Sequence, residues 1–216
     1  MELNKYIDHT LLKANAKPSD IVKLCAEAKE YGFYSVCVNS GFVPLCRKEL
    51  MGSDVKIACV VGFPLGAMAT EVKAFETEYA CRNGASEVDM VLAVGLMKAG
   101  EYDSVKEDIK SVVDTASKSG TIVKVILECC ELSNDEIIKA CKLAEEAGAA
   151  FVKTSTGFGS GGALEEDVAL MRRSVSSAVK VKASGGIRDR ETAVKMINAG
   201  ADRIGASAGI EICKKL

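Results

Sequence analysis

Short β-branched runs recur along the chain at nearly even spacing: Tyr6–Leu11, Phe33–Asn39, Val55–Val61, Glu87–Leu92, Ile122–Glu128, Phe151–Thr156, Lys180–Ser184 and Arg203–Ser207. Runs of this length, rich in Val and Ile, predict strands. Between them lie segments with apolar residues at helical spacing. Ser19–Tyr31 carries Ile21, Leu24, Cys25 and Ala28 on one face and has Pro18 at its start. Phe42–Leu50 is short. Thr70–Asn83 gathers Val72, Phe75, Tyr79 and Ala80 on an apolar stripe, with Gly84 as a stop. Tyr102–Ser119 ends at Gly120. Ser133 with Glu136 three residues on predicts a capping box for a helix over Ser133–Ala147. Leu164–Ser176, Asp189–Ala199 and Gly209–Leu216 complete the series.

Strand and helix alternating eight times predict a single-domain (β/α)8 barrel over residues 1–216. Four segments, EYGFYSV, RNGASEV, EAGAAFV and NAGADRI, share one form: helix end, Gly, two residues, strand. This repeated turn supports βα repetition. The runner-up is an open doubly wound sheet, but no GxGxxG follows the first strand. No linker or low-complexity segment interrupts the pattern.

Barrel strands are buried on both faces and ordinarily read as continuous apolar runs. Here five carry a charge mid-strand: Asp8, Asp89, Lys124, Lys153 and Lys182. A buried charge costs several kcal/mol unless it is paired. Any one of these could be half of a structural ion pair. Together they point to a functional cluster at the C-terminal mouth, where catalytic side chains come from several strands. Lys153 and Lys182 fall on consecutive predicted strands, so one ammonium can lower the pKa of the other and free its amine. A free amine facing a carbonyl gives a carbinolamine and then an iminium ion, an electron sink for making or breaking the adjacent C–C bond. Asp89 could then move the protons.

Composition narrows the alternatives. Lys and Arg number 28 against 30 Asp and Glu, a formal charge of −2, which argues against a general electrostatic grip on nucleic acid. A single histidine, His9, excludes a three-histidine zinc site within one chain, and no metal or organic cofactor is expected. Cys129-Cys130 lacks zinc-ligand spacing. The 9 cysteines, an odd number, and the polar Met1–Thr10 segment predict free thiols and a cytoplasmic setting. No run is long enough for a membrane span.

Glycines cluster after the late strands, at Thr156-Gly157, Gly185-Gly186 and Gly205-Ala-Ser207. Loops after strands 7 and 8 form the usual phosphate site of such barrels, although glycines also serve plain turns.

The segments Ile7-Asp-His-Thr-Leu-Leu12, Val61-Gly-Phe-Pro-Leu-Gly66, Glu87-Val-Asp89, Lys153-Thr-Ser-Thr-Gly157, Val181-Lys182-Ala-Ser-Gly-Gly-Ile187 and Gly205-Ala-Ser207 occur in this order. With Val36-Cys-Val-Asn39 they resemble the deoxyribose-phosphate aldolase family over essentially the whole chain. The resemblance implies a class I aldolase on a (β/α)8 barrel. It would cleave 2-deoxy-D-ribose 5-phosphate to acetaldehyde and D-glyceraldehyde 3-phosphate, reversibly. It implies Lys153 as the Schiff-base lysine, Lys182 beside it, and Asp89 as proton donor and acceptor. Thr156, Gly157, Gly185, Gly186 and Ser207 would hold the phosphate or its neighbourhood, and Asp8 and Lys124 would form a supporting polar shell. Some members have Gly-Lys where this chain has Gly157-Phe158, and Ser-Ser where it has Ser207-Ala208. Longer members carry a C-terminal tyrosine that has no counterpart in Ile-Cys-Lys-Lys-Leu216.

Cys37 is grouped with that shell as a thiol near the aldehyde, although core packing is its plainer reading. His9 reads as a hydrogen-bonded structural group. A homodimer is a reasonable expectation for a barrel, with no interface patch legible. Other classes compatible with the glycine loops are a phosphate-binding isomerase or synthase with a carboxylate base, or a binding barrel without catalysis.

Overall fold

The computed structural model describes residues 2–214. In chain order the elements are β1 (Ile7–Leu11), α1 (Pro18–Tyr31), β2 (Ser35–Val38), α2 (Val43–Glu49), β3 (Lys56–Val61) and α3 (Thr70–Asn83). They continue with β4 (Glu87–Val91), α4 (Val94–Lys98), α5 (Tyr102–Ser117), β5 (Ile122–Ile126), α6 (Asn134–Glu146) and β6 (Phe151–Lys153). The last are α7 (Glu165–Ser174), β7 (Lys180–Ser184), α8 (Arg190–Asn198), β8 (Arg203–Ala206) and α9 (Gly209–Cys213). The eight strands are all parallel, each pairs with the next, and β8 pairs with β1, so the sheet closes into a (β/α)8 barrel. The expected extension of α9 over residues 215–216 lies outside the described residues.

Side-chain alternation splits each strand between two environments. Val36 and Val38, Cys59 and Val61, Val88 and Met90, Val123 and Val125 face outward and join the helices in the main apolar core. Their neighbours face the barrel axis. There, Cys37, Ala58 and Val60 form only a small apolar group with Leu12 and Phe63. The four glycines of the repeated turn, Gly32, Gly84, Gly148 and Gly200, all have positive φ, which is why glycine stands there. The capping box forms as expected: Ser133 N–H donates to Glu136 Oε2 at 2.7 Å and Glu136 N–H to Ser133 Oγ at 3.4 Å.

Three expectations are corrected. Strands β5 and β6 are shorter than the runs that predicted them, because the chain leaves the ladder at Glu128 (φ 57°) and beyond Lys153. Helix α4 is an addition, too short for its periodicity to register. The apolar stripe of α3 faces the core only at Ala80: Val72 and Phe75 are exposed, and Lys73 and Thr77 are buried with Ala80 instead. A polar clamp turns the helix this way. Lys73 Nζ donates to Asp108 Oδ2 (2.6 Å) and to the carbonyl of Val91 (3.0 Å), and the Thr70 hydroxyl donates to Asp108 Oδ1 (2.8 Å). The lysine stem supplies the apolar packing, and its ammonium is neutralised at the end of β4.

Candidate active site

Asp8, Asp89, Lys124, Lys153 and Lys182 come from five strands and meet inside the barrel. Asp89 is the hub. Its Oδ1 accepts from Lys124 Nζ at 2.7 Å, and its Oδ2 from Lys153 Nζ at 2.9 Å and Lys182 Nζ at 2.8 Å. Strand register brings this about: Asp89 lies beside Lys124, and Lys153 beside Lys182. Lys182 also pairs with Asp8 Oδ2 at 2.5 Å. The Ser35 hydroxyl donates to Asp8 Oδ1 at 2.7 Å.

Two further charges belong to the cluster. Glu87 pairs with Lys124 at 2.5 Å, and Arg203 reaches Asp8 at 2.9 Å and Glu87 at 3.4 Å while lying over the Tyr34 ring. Neither was expected from the sequence, because a charge on the first residue of a strand reads as a solvent-facing end. Glu87 had a usable signal: it stands two residues before Asp89, and period-2 alternation puts both on one face. Arg203 had none.

Four cations thus face three carboxylates, an excess of one positive charge in a buried site. Releasing one proton relieves it, and the contacts decide which lysine yields. Lys124 and Lys182 each hold two carboxylates, whereas Lys153 shares one oxygen of Asp89 with Lys182. Burial pushes Lys153 below the ordinary lysine range, the Lys182 cation adds to this, and Asp89 offsets only part. Burial acts the same way on Lys124 and Lys182, but their carboxylate partners outweigh it and hold both above the ordinary range. Burial would raise Asp89 and Asp8; the surrounding cations hold both well below the carboxylate range. Lys153 is therefore the lysine best able to present a free amine.

Lys153 is also the one lysine of this cluster that lines a cavity of about 440 Å³ at the C-terminal ends of β1, β6, β7 and β8. Thr156, Gly157, Ser184, Gly185, Gly186 and Ser207 line the same space, so the sequence-selected mouth residues converge on it. Gly157, Gly185 and Gly186 have φ of 81°, 90° and 79°. Lys13 and Arg188 are at the rim, and no carboxylate lines the cavity. Asp8 and Lys124 lie in the barrel below it, fully buried. Cys37 is fully buried in the small inner apolar group, and burial raises its thiol pKa. His9 faces away from the barrel axis; its Nε2 meets Glu27 Oε2 at 2.8 Å and its ring lies against Phe33. Glu128, which ends an apolar strand run and carries no sequence signal for a site role, accepts from Thr156 at the edge of the mouth.

The profile of the DeoC/LacD family of aldolases matches residues 3–215. The chain belongs to the DeoC/LacD aldolase family. It is 57% identical over 215 residues to a deoxyribose-phosphate aldolase of Clostridium tetani, covering 100% of this chain and 99% of that one. Identity to the Thermococcus gammatolerans deoxyribose-phosphate aldolase is 57% over 214 residues, covering 98% and 95%. A deoxyribose phosphate aldolase from Aeropyrum pernix, described as a unique tetrameric structure, superposes with a TM-score of 0.89 at 33% identity, covering 98% of this chain and 89% of that one. Among the described residues of this aldolase no helix is long and apolar enough to cross a membrane.

Gly205 shows how tightly the aldolase packs its inner lysine. A Cβ there would stand 2.9 Å from Lys182 Cε and 2.9 Å from Ser184 Cβ. Ser184 sits on a paired strand and cannot retreat, so Lys182 must shift. Gly205→Ala is expected to destabilise the fold by about 1–3 kcal/mol through overpacking. It should lower turnover by up to about 100-fold through misplacement of the Lys182 ammonium. Urea denaturation and steady-state kinetics check the two effects.

Proposed function

We propose that this aldolase cleaves 2-deoxy-D-ribose 5-phosphate to acetaldehyde and D-glyceraldehyde 3-phosphate, reversibly, through a Schiff base on Lys153. The observation that carries this reading is the asymmetry among the three lysines around Asp89: only Lys153 both faces the cavity and is held below the ordinary lysine range. Its amine attacks C1 of the open-chain sugar, and the carbinolamine loses water to give an iminium ion. The iminium accepts the electron pair as the C2–C3 bond breaks and the C3 hydroxyl gives up its proton, releasing glyceraldehyde 3-phosphate. The enamine left on Lys153 takes a proton at C2, and water releases acetaldehyde. Asp89, with Lys182 and water, is the group placed to hand these protons on. Neither a metal nor an organic cofactor enters the scheme.

The phosphate belongs with the glycine loops after β6, β7 and β8, around Gly157, Gly185, Gly186 and Ser207. Support comes from the open space where a Gly186 Cβ would lie and from a cavity wall that carries Lys13 and Arg188 without a carboxylate. The same reading takes residues 1–216 as one barrel domain, acting on small molecules rather than on nucleic acid or membranes. The nine free thiols support a cytoplasmic, reducing setting. A homodimer is part of the reading, supported by the exposed Val72 and Phe75 on α3.

The direct test is borohydride reduction in the presence of acetaldehyde, followed by peptide mass analysis. An ethyl group on Lys153 is expected; its absence, or its presence only elsewhere, overturns the assignment. The pH profile gives a second check. Only the free amine attacks, so kcat/KM falls as pH drops through the Lys153 pKa. Lys182→Met removes a cation that lowers that pKa, and should move the acid limb to higher pH.

A further inference from the structure

Glu128 is unusual on three counts. It is the one non-glycine residue with positive φ among the described residues, in a conformation that residues with a Cβ seldom adopt. Its side chain is buried, with the residue 7% exposed. It takes part in none of the ion pairs among the described residues, whereas the other buried carboxylates, Asp8, Glu87, Asp89 and Asp108, all do. A buried carboxylate without a cation must have its charge met by hydrogen-bond donors.

Two of those donors come from Thr156, and the Cys130 thiol adds a long contact to Oε1 at 3.9 Å. Thr156 N–H donates to Glu128 Oε1 at 3.2 Å, and the Thr156 hydroxyl donates to Oε2. The Thr156 oxygen in turn accepts the N–H of Phe158 at 3.0 Å. The chain of bonds runs one way, from Phe158 through Thr156 to Glu128, as an acceptor-only carboxylate requires. Glu128 is itself anchored on both sides. Leu127 N–H donates to the carbonyl of Lys153 and Cys129 N–H to that of Thr154, both at 2.9 Å. Both polar hydrogens of Thr156 are therefore spent on Glu128 and are not aimed at a ligand, although Thr156, Gly157 and Phe158 line the cavity that Lys153 faces. Gly157, held between them at φ 81°, lies against Gly185: a Cβ on it would be 3.8 Å from Gly185 Cα.

We propose that Glu128 is a positioning residue that fixes the Thr156–Phe158 loop through both donors of Thr156, and thereby sets the preference for a phosphorylated over an unphosphorylated sugar. The inference rests on the aldolase reading above. Thr156 then acts on the anion site by holding Gly157 against the Gly185-Gly186 loop, not by touching the phosphate.

The test compares kcat/KM for 2-deoxyribose 5-phosphate and for 2-deoxyribose in the wild type, Glu128→Gln, Thr156→Val and Thr156→Ser. Glutamine presents an amide donor where Thr156 needs an acceptor; valine keeps the threonine shape without the hydroxyl. Both should raise KM for the phosphorylated sugar about tenfold with kcat little changed, and lower the ratio of the two kcat/KM values by about tenfold. Thr156→Ser keeps the hydroxyl and should retain the ratio. Borohydride trapping of acetaldehyde at Lys153 should persist in all four proteins, because the imine forms without the phosphate. Should Glu128→Gln fail to fold, Thr156→Val decides on the same ratio. An unchanged ratio in the folded variants, or an equal fall for both sugars, overturns the positioning role alone. A wild-type protein that traps no acetaldehyde and turns over neither sugar overturns the aldolase reading, and this inference with it.

Discussion

Lys153→Leu is expected to abolish turnover, with a fall of at least about 10⁴-fold, the loss that follows removal of a covalent nucleophile. It should also abolish the borohydride-trapped acetaldehyde adduct. Neither neighbouring lysine can take over. Lys124 and Lys182 are fully buried, each is held protonated by two carboxylates, and neither lines the cavity. The fold should survive. Lys153 is the least paired cation of a cluster with one positive charge in excess, so a leucine there removes a charge that burial already disfavours. Kinetics, intact-mass analysis and urea denaturation on one preparation check all three outcomes. Retained turnover in a folded Leu variant would instead favour a carboxylate-base mechanism in a phosphate-binding barrel.

Asp89→Asn should have the second-largest effect, and a different signature. The carboxylate meets three ammonium groups within 2.9 Å. An amide cancels none of that charge and must turn its NH2 toward donors. A destabilisation of about 3–5 kcal/mol is expected, the usual cost of leaving buried charges without their partner. Turnover should fall about 10²–10⁴-fold with the loss of the proton-transfer group. Trapping should behave otherwise: Asp89 raises the Lys153 pKa, so its removal leaves more free amine, and the acetaldehyde adduct should still form. The stability loss has a definite pH dependence. Asp89 is held well below the carboxylate range when folded, so its contribution is fully present above an unfolded value of about 3.9 and fades as pH falls toward the folded one. The stability gap between wild type and variant should therefore be widest near neutrality and narrow below about pH 4. A variant with normal turnover would remove Asp89 from the mechanism.

The barrel was legible because its signals are local. Eight β-branched runs, helical spacing between them and a glycine turn used four times are each written in a dozen residues or fewer. The mid-strand lysines were legible for a related reason: a charge in the middle of an apolar run breaks a pattern that any strand of a closed barrel must otherwise keep. At strand starts the same rule fails. Glu87, Arg203 and Lys180 all open their strands, yet Glu87 and Arg203 are buried in the cluster and Lys180 is exposed. How far each strand is staggered around the barrel decides this, and stagger is a property of the closed sheet. Helix α3 makes the same point. Its apolar stripe reads as a core face, but with Lys73 bonded to Asp108, 35 residues away, Val72 and Phe75 of that stripe face outward.

The sequence by itself determined the order of the elements, the closed class of the fold and the residue types available for chemistry. With one histidine and lysines inside strands, an imine was the route those residues favoured. Only the tertiary structure shows which lysine is best placed to present a free amine. That choice depends on how three ammonium groups share Asp89, Asp8 and Glu87 and on which of them faces the cavity. Electrostatic energy varies with distances among β1, β4, β5, β6, β7 and β8, and those distances exist only once the barrel has closed. It was likewise the fold that set Glu128 beside Thr156, 28 residues further along the chain.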